Sequence, residues 1–125
     1  MVLVHGWRGD KAPWTSVETS VFWPEKLLAA KVPEARILSY EYDVELESFW
    51  NEEDLITELS TDLIDGLMEE RPEKTEKRAV LFVAHCLGGL VCENVSMLHL
   101  IHISGTPANL EILYYIGSCG REPAR

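Results

Sequence analysis

Ala79-Val80-Leu81-Phe82-Val83-Ala84-His85-Cys86-Leu87-Gly88-Gly89 decides how the rest of this chain reads. The apolar run is too short for a core helix and ends abruptly at a nucleophile flanked by small residues, the pattern of a strand that turns sharply into a helix. Such a turn leaves no room for side chains two positions before and after the nucleophile, and Ala84 and Gly88 supply the small residues it demands. Cys86 then stands exposed at the helix start, with Ala84, His85, Gly88 and Gly89 shaping the elbow. Ala84 replaces the first Gly of a G-x-S-x-G elbow, a mild change, and Cys86 replaces Ser, a change of chemistry. A thiol is softer and more acidic than a hydroxyl, and unpaired amides at a helix N-terminus favour its thiolate. The alternative is a small buried Cys in an ordinary βα turn.

Upstream, Met1-Val2-Leu3-Val4 reads as a strand that runs into His5-Gly6-Trp7-Arg8-Gly9-Asp10, a turn rich in Gly and Asp. In open parallel sheets ligands bind outside the C-terminal ends of strands, so the two loops converge on one crevice. One loop offers the Cys86 nucleophile. The backbone N–H groups of Leu87 and Trp7 are the candidate oxyanion donors, with Gly6 and His5 shaping the loop.

Four motifs occur in order: His5-Gly6-Trp7-Arg8-Gly9-Asp10, Phe22-Trp23-Pro24-Glu25-Lys26-Leu27-Leu28, Ala35 to Asp43, and Ala84-His85-Cys86-Leu87-Gly88-Gly89-Leu90-Val91. Together they resemble the α/β-hydrolase domains of the serine-active-site-containing protein family, and fungal lipase-like domains that precede nucleotide-binding (NACHT) or repeat regions. The resemblance spans residues 1–98, with 99–125 atypical. It implies a partial α/β-hydrolase fold, a single domain truncated at both ends, within a longer parent protein carrying further domains. It also implies esterase or lipase-like chemistry on an acyl-ester or lipid substrate, a place in lipid metabolism, and mitochondrial or endoplasmic-reticulum association. Dienelactone hydrolases are similar in carrying Cys within a Cys-Leu-Gly-Gly elbow.

Composition is compatible with such a domain. At 125 residues and 46% hydrophobic content the chain supports one core. A net charge of −10 disfavours nucleic acid and anionic lipid surfaces. Cys86, Cys92 and Cys119 form no C-x-x-C pair, which argues for reduced thiols in an intracellular compartment rather than a disulfide framework or a metal site, and no cofactor is expected. No apolar segment approaches the roughly 20 residues that span a bilayer.

Strand-like and helix-like patterns alternate, the order of βαβ units, so the expected fold class is α/β with a three-layer, mostly parallel sheet and flanking helices. A helix is expected near Pro24 with Leu27, Leu28 and Ala29 in its body, ending before Pro33, followed by a strand over Arg36 to Tyr42. A second helix begins with a cap at Asn51 and carries Leu55, Leu59 and Leu63 at four-residue spacing, joined by Ile56, Ile64, Leu67 and Met68 on one broad apolar face. Right-handed crossovers place the first strand between the second and third. Leu100-Ile101-His102-Ile103 is expected as a strand closed by Ser104-Gly105-Thr106-Pro107, and Leu110 to Ile116 as another. Beyond Cys86 there is no Asp. A triad would have to come from Glu93, Glu111, Glu122, His99 and His102, so the catalytic set reads as incomplete and a catalytically inactive recognition domain, or a truncated product without function, stands as the alternative.

Overall fold

The computed structural model describes residues 1–7, 11–45, 48, 54–71, 78–102 and 110–114, with backbone alone at 99–102 and 110–114. Strand β1, Val2–Val4, is buried along its whole length, as expected of an inner strand of a parallel sheet. A short turn of 3₁₀ helix, Ala12–Trp14, precedes a π-helical turn over Pro24–Leu28, in which the Ala29 amide donates to the Pro24 carbonyl. That turn continues as α1, Ala29–Lys31, and leads to β2, Leu38–Tyr40. The helix α2, Leu55–Glu70, then crosses to β3, Val80–Ala84, and α3, Leu87–His102, leads to β4, Leu110–Tyr114.

All neighbouring strands run parallel, in the order β2-β1-β3-β4. The first strand lies between the second and third, as right-handed crossovers require. Val4 pairs in register with Tyr40 on one side and Ala84 on the other, so the chain leaves β1, β2 and β3 at one common edge.

The core lies between this sheet and α2 and α3. Val2, Val4, Val80, Phe82 and Ala84 meet Leu55, Leu59 and Leu63 of α2 and Leu87, Val91, Cys92 and Val95 of α3. The four-residue spacing on α2 puts its leucines on one stripe, with Ile56, Ile64 and Leu67 packed beside them. Met68 is not part of that face. It lies thirteen residues from Leu55, about 220° around a helix of 3.6 residues per turn, and is 67% exposed. Where the two helices meet, Ser60 is fully buried, its hydroxyl 2.6 Å from the Ile56 carbonyl and 3.1 Å from the Val91 carbonyl, and it accepts from Asn94 Nδ2. One polar contact thus fixes the register of α2 on α3.

Of the expected strand at Leu100–Ile103, the described residues Leu100–His102 are helical, since α3 runs through to His102. Val91, Cys92 and Val95 form its buried stripe, and Leu100, Ile101 and His102 continue the helix rather than start a strand. The strand expected from Leu110 is present as β4. Arg8, Gly9 and Asp10, the cap at Asn51, the Ser104–Pro107 motif and Cys119 lie outside the described residues.

Candidate active site

Cys86 is the single residue between β3 and α3 whose backbone is left-handed, with φ of 54°. An L-residue pays roughly 1–2 kcal/mol for that conformation, and it persists because both sides of the turn are fixed. The His85 amide donates to the Val4 carbonyl at 2.9 Å, tying the turn to β1. Gly88 donates to the His85 carbonyl and Gly89 to the Cys86 carbonyl, closing the first turn of α3. Leu87 is the first helical residue, and an amide at that position has no acceptor within its own helix.

The small residues are there because backbone lies against them. A Cβ on Gly88 would stand 2.3 Å from the Val4 carbonyl oxygen and 2.6 Å from that of His5. A Cβ on Gly6 would stand 2.9 Å from the Cys86 Cβ and 3.1 Å from His85 Nδ1. Ala84 is buried in the core. Gly89 meets nothing within 4 Å, so the sequence pattern singled out one glycine more than close packing needs. The loop after β1 therefore rests directly on the elbow, and Cys86 is partly exposed beside it, whereas Cys92 is sealed in the core. Burial pushes the Cys92 thiol up to about 12.

His5 is 1% exposed and both its ring nitrogens are used. Nδ1 lies 2.7 Å from the Gly6 carbonyl, to which only a protonated Nδ1 can donate. Nε2 accepts the Tyr42 amide at 3.1 Å, which fixes the neutral Nδ1–H tautomer. The Tyr42 ring stacks on the imidazole at 4.1 Å between centroids, and its hydroxyl donates to the His5 carbonyl. Burial first, then Cys92, Tyr40 and Cys86, raise the Tyr42 phenol above its ordinary value, so it stays a donor. Tyr42 follows β2, and the register that pairs Val4 with Tyr40 is what brings it to His5.

His85 turns its Nδ1 against Gly6, and Trp14 packs edge-on to its ring at 6.4 Å. Its Nδ1 and the Trp14 Nε1 are both buried without a hydrogen-bond partner among the described residues. Glu93 lies exposed on α3, and His99 and His102 are in its last turns, roughly 18 Å or more along the axis from the thiol at 1.5 Å per residue. Among the described residues, Glu41 and Asp43 are exposed carboxylates on the segment after β2. Among the described residues no imidazole is bonded to a carboxylate, and no group of three or more His, Cys, Asp or Glu residues could hold a metal. No described helix is long and apolar enough to cross a membrane. The chain matches no family model, no curated protein and no solved structure.

Proposed function

We propose that this chain is an esterase- or lipase-type acyl hydrolase domain with an α/β-hydrolase arrangement, and that Cys86 is its nucleophile. The observation that carries the reading is the left-handed backbone of Cys86, held between a β-strand and a helix N-terminus with the Gly6 loop pressed against it. Strain of this kind is retained where surrounding structure enforces it, and it lifts a side chain out of the sheet toward the open edge.

In this reading the Cys86 thiol loses its proton to solvent, favoured by the helix N-terminus, and the thiolate attacks the ester carbonyl carbon. A C–S bond forms as the carbonyl π pair moves to oxygen, where the Leu87 and Trp7 N–H groups receive it. Collapse expels the alcohol, which takes a proton from water, and leaves an acyl thioester. Water then cleaves that thioester, releasing the acid and restoring the thiol.

The test is a short p-nitrophenyl ester series on the purified protein. Wild type should gain one acyl mass on Cys86 and release nitrophenol, while Cys86→Ala should do neither. Equal release from both proteins contradicts the reading. A recognition module without turnover is favoured by one observation, that His5 spends both nitrogens on structure. That second reading predicts no acyl adduct in wild type and no turnover in Cys86→Ser.

A further inference from the structure

We propose that the cavity between the C-terminal half of α2 and the starts of β1, β2 and β3 binds the anion of a medium-chain fatty acid, its carboxylate on Arg78 and Arg36 and its chain along Leu67, Leu38 and Gly66. This site lies at the opposite end of the strands from Cys86 and does not depend on the acyl-transfer reading.

The cavity has two lobes. One, of about 190 Å³, is walled by Val2, Leu38 and Val80, the first residues of the three strands, and ringed by Arg36, Arg71 and Arg78. The other, of about 230 Å³, runs on between α2 and β2 past Leu63, Gly66 and Tyr40. Val2, Leu38 and Leu67 line both lobes, so the two are continuous. The channel follows α2 from Leu63 to Glu70, roughly 10 Å at 1.5 Å per residue, with room for one extended acyl chain and not for a two-chain lipid. Gly66 keeps it open. Glycine weakens a helix interior, and no close approach demands one here, because a Cβ on Gly66 would meet nothing within 4 Å. The missing side chain leaves space beside Leu63 and Leu67.

Charge gives the channel a direction. Three of the chain's 11 lysines and arginines gather at one end of it, in a molecule of net charge −10. Two of them already serve the fold. Arg71 donates to the Arg78 carbonyl at 2.6 Å, and Arg36 donates to the Glu70 carbonyl at 2.7 Å and to the Glu70 carboxylate at 2.8 Å. That last bond shows a carboxylate held at this rim. Arg78 gives one N–H to the Glu34 carbonyl, and among the described residues no carboxylate is paired with it. At the other end burial, then the Asp62 charge, raise the Tyr40 phenol to about 12, so an anion is repelled there. A carboxylate head therefore belongs among the guanidinium forks, and its chain displaces water from the apolar walls.

The experiment titrates sodium decanoate, below its micellar range, into the full chain by calorimetry, alongside acetate, decanol and phosphatidylglycerol vesicles. One decanoate should bind. Acetate, which lacks the chain, and decanol, which lacks the charge, should each bind at least about tenfold more weakly, and the vesicles should not bind. Arg78→Gln keeps a donor for the Glu34 carbonyl but loses the charge, and should weaken decanoate about tenfold. Gly66→Leu, a better helix former, should fill the channel and weaken decanoate at least about tenfold, with a urea midpoint no lower than that of wild type. Glu70→Gln removes the competing carboxylate and should tighten binding about threefold. The proposal is overturned if wild type shows no saturable decanoate binding, or if decanol or vesicles bind as tightly. Unchanged affinity in folded Arg78→Gln or Gly66→Leu, or weaker binding in Glu70→Gln, overturns it as well. Ester turnover at Cys86 is a separate measurement, so a failed hydrolase reading leaves these results standing.

Discussion

Gly88→Ala should destabilise the protein, although alanine is the better helix former. In an unobstructed helix position the change gains about 1 kcal/mol. At Gly88 the new methyl would stand 2.3 Å from the Val4 carbonyl oxygen, where ordinary contact begins near 3.4 Å, so strand and helix must part by roughly 1 Å. That carbonyl also accepts the His85 amide at 2.9 Å, and retreat breaks this bond. Overpacking of about 2–3 kcal/mol and a lost hydrogen bond of about 1 kcal/mol outweigh the propensity gain, for a net loss of about 2–3 kcal/mol. Gly89→Ala and Gly66→Ala meet nothing within 4 Å and should each gain up to about 1 kcal/mol. Urea unfolding followed by tryptophan fluorescence, to which buried Trp14 contributes, reads all three variants. If Gly88→Ala is as stable as Gly89→Ala, β1 does not lie against the start of α3 and the elbow geometry is wrong.

Cys86→Gly should raise stability by about 0.5–1 kcal/mol, because relief of the left-handed strain exceeds the extra unfolded-state entropy, while Cys86→Ala should show no such gain in the same urea titration. Alkaline pH should weaken the fold. Burial raises Cys92 from 9.0 to about 12, and burial with the Asp62 charge raises Tyr40 from 10.0 to about 12, so in this range the unfolded chain binds fewer protons. The contribution is whole below pH 9 and is lost as pH rises toward 12, and in Cys92→Ala the urea midpoint should begin to fall nearer pH 10. Glu70→Gln removes the exposed 2.8 Å ion pair with Arg36 and should change stability by less than about 1 kcal/mol, since such pairs are solvated and screened by salt.

The parallel core was legible because Val2–Val4 and Val80–Ala84 are apolar along their whole length, as inner parallel strands are, and because each ends at glycine-rich turns. The strand-to-helix turn was legible at Gly88, where a Cβ would meet the Val4 and His5 carbonyls, whereas Gly89 is under no such constraint. Leu100 to His102 was misread because a short apolar run carries no period of its own, and only the packing of α3 on the sheet decides its state. Tyr42 was missed as a partner of His5 for a different reason. Their contact spans 37 residues and exists only once β2 pairs with β1, although two polar aromatic residues just past the ends of adjacent strands were signal enough to suspect it. The Trp14 and His85 nitrogens that lack a partner among the described residues had no counterpart in the sequence, because burial of single atoms depends on packing.

Thiol reactivity tests the placement of Cys86 most directly. In native protein near pH 7, iodoacetamide labelling mapped by mass spectrometry should modify Cys86 at least about 100-fold faster than Cys92, which is 0% exposed with its thiol raised to about 12, and the ratio should collapse toward one in urea. Equal, slow labelling of both cysteines in the native state would mean that Cys86 is not presented at a strand-to-helix junction, and the proposed chemistry would have no site.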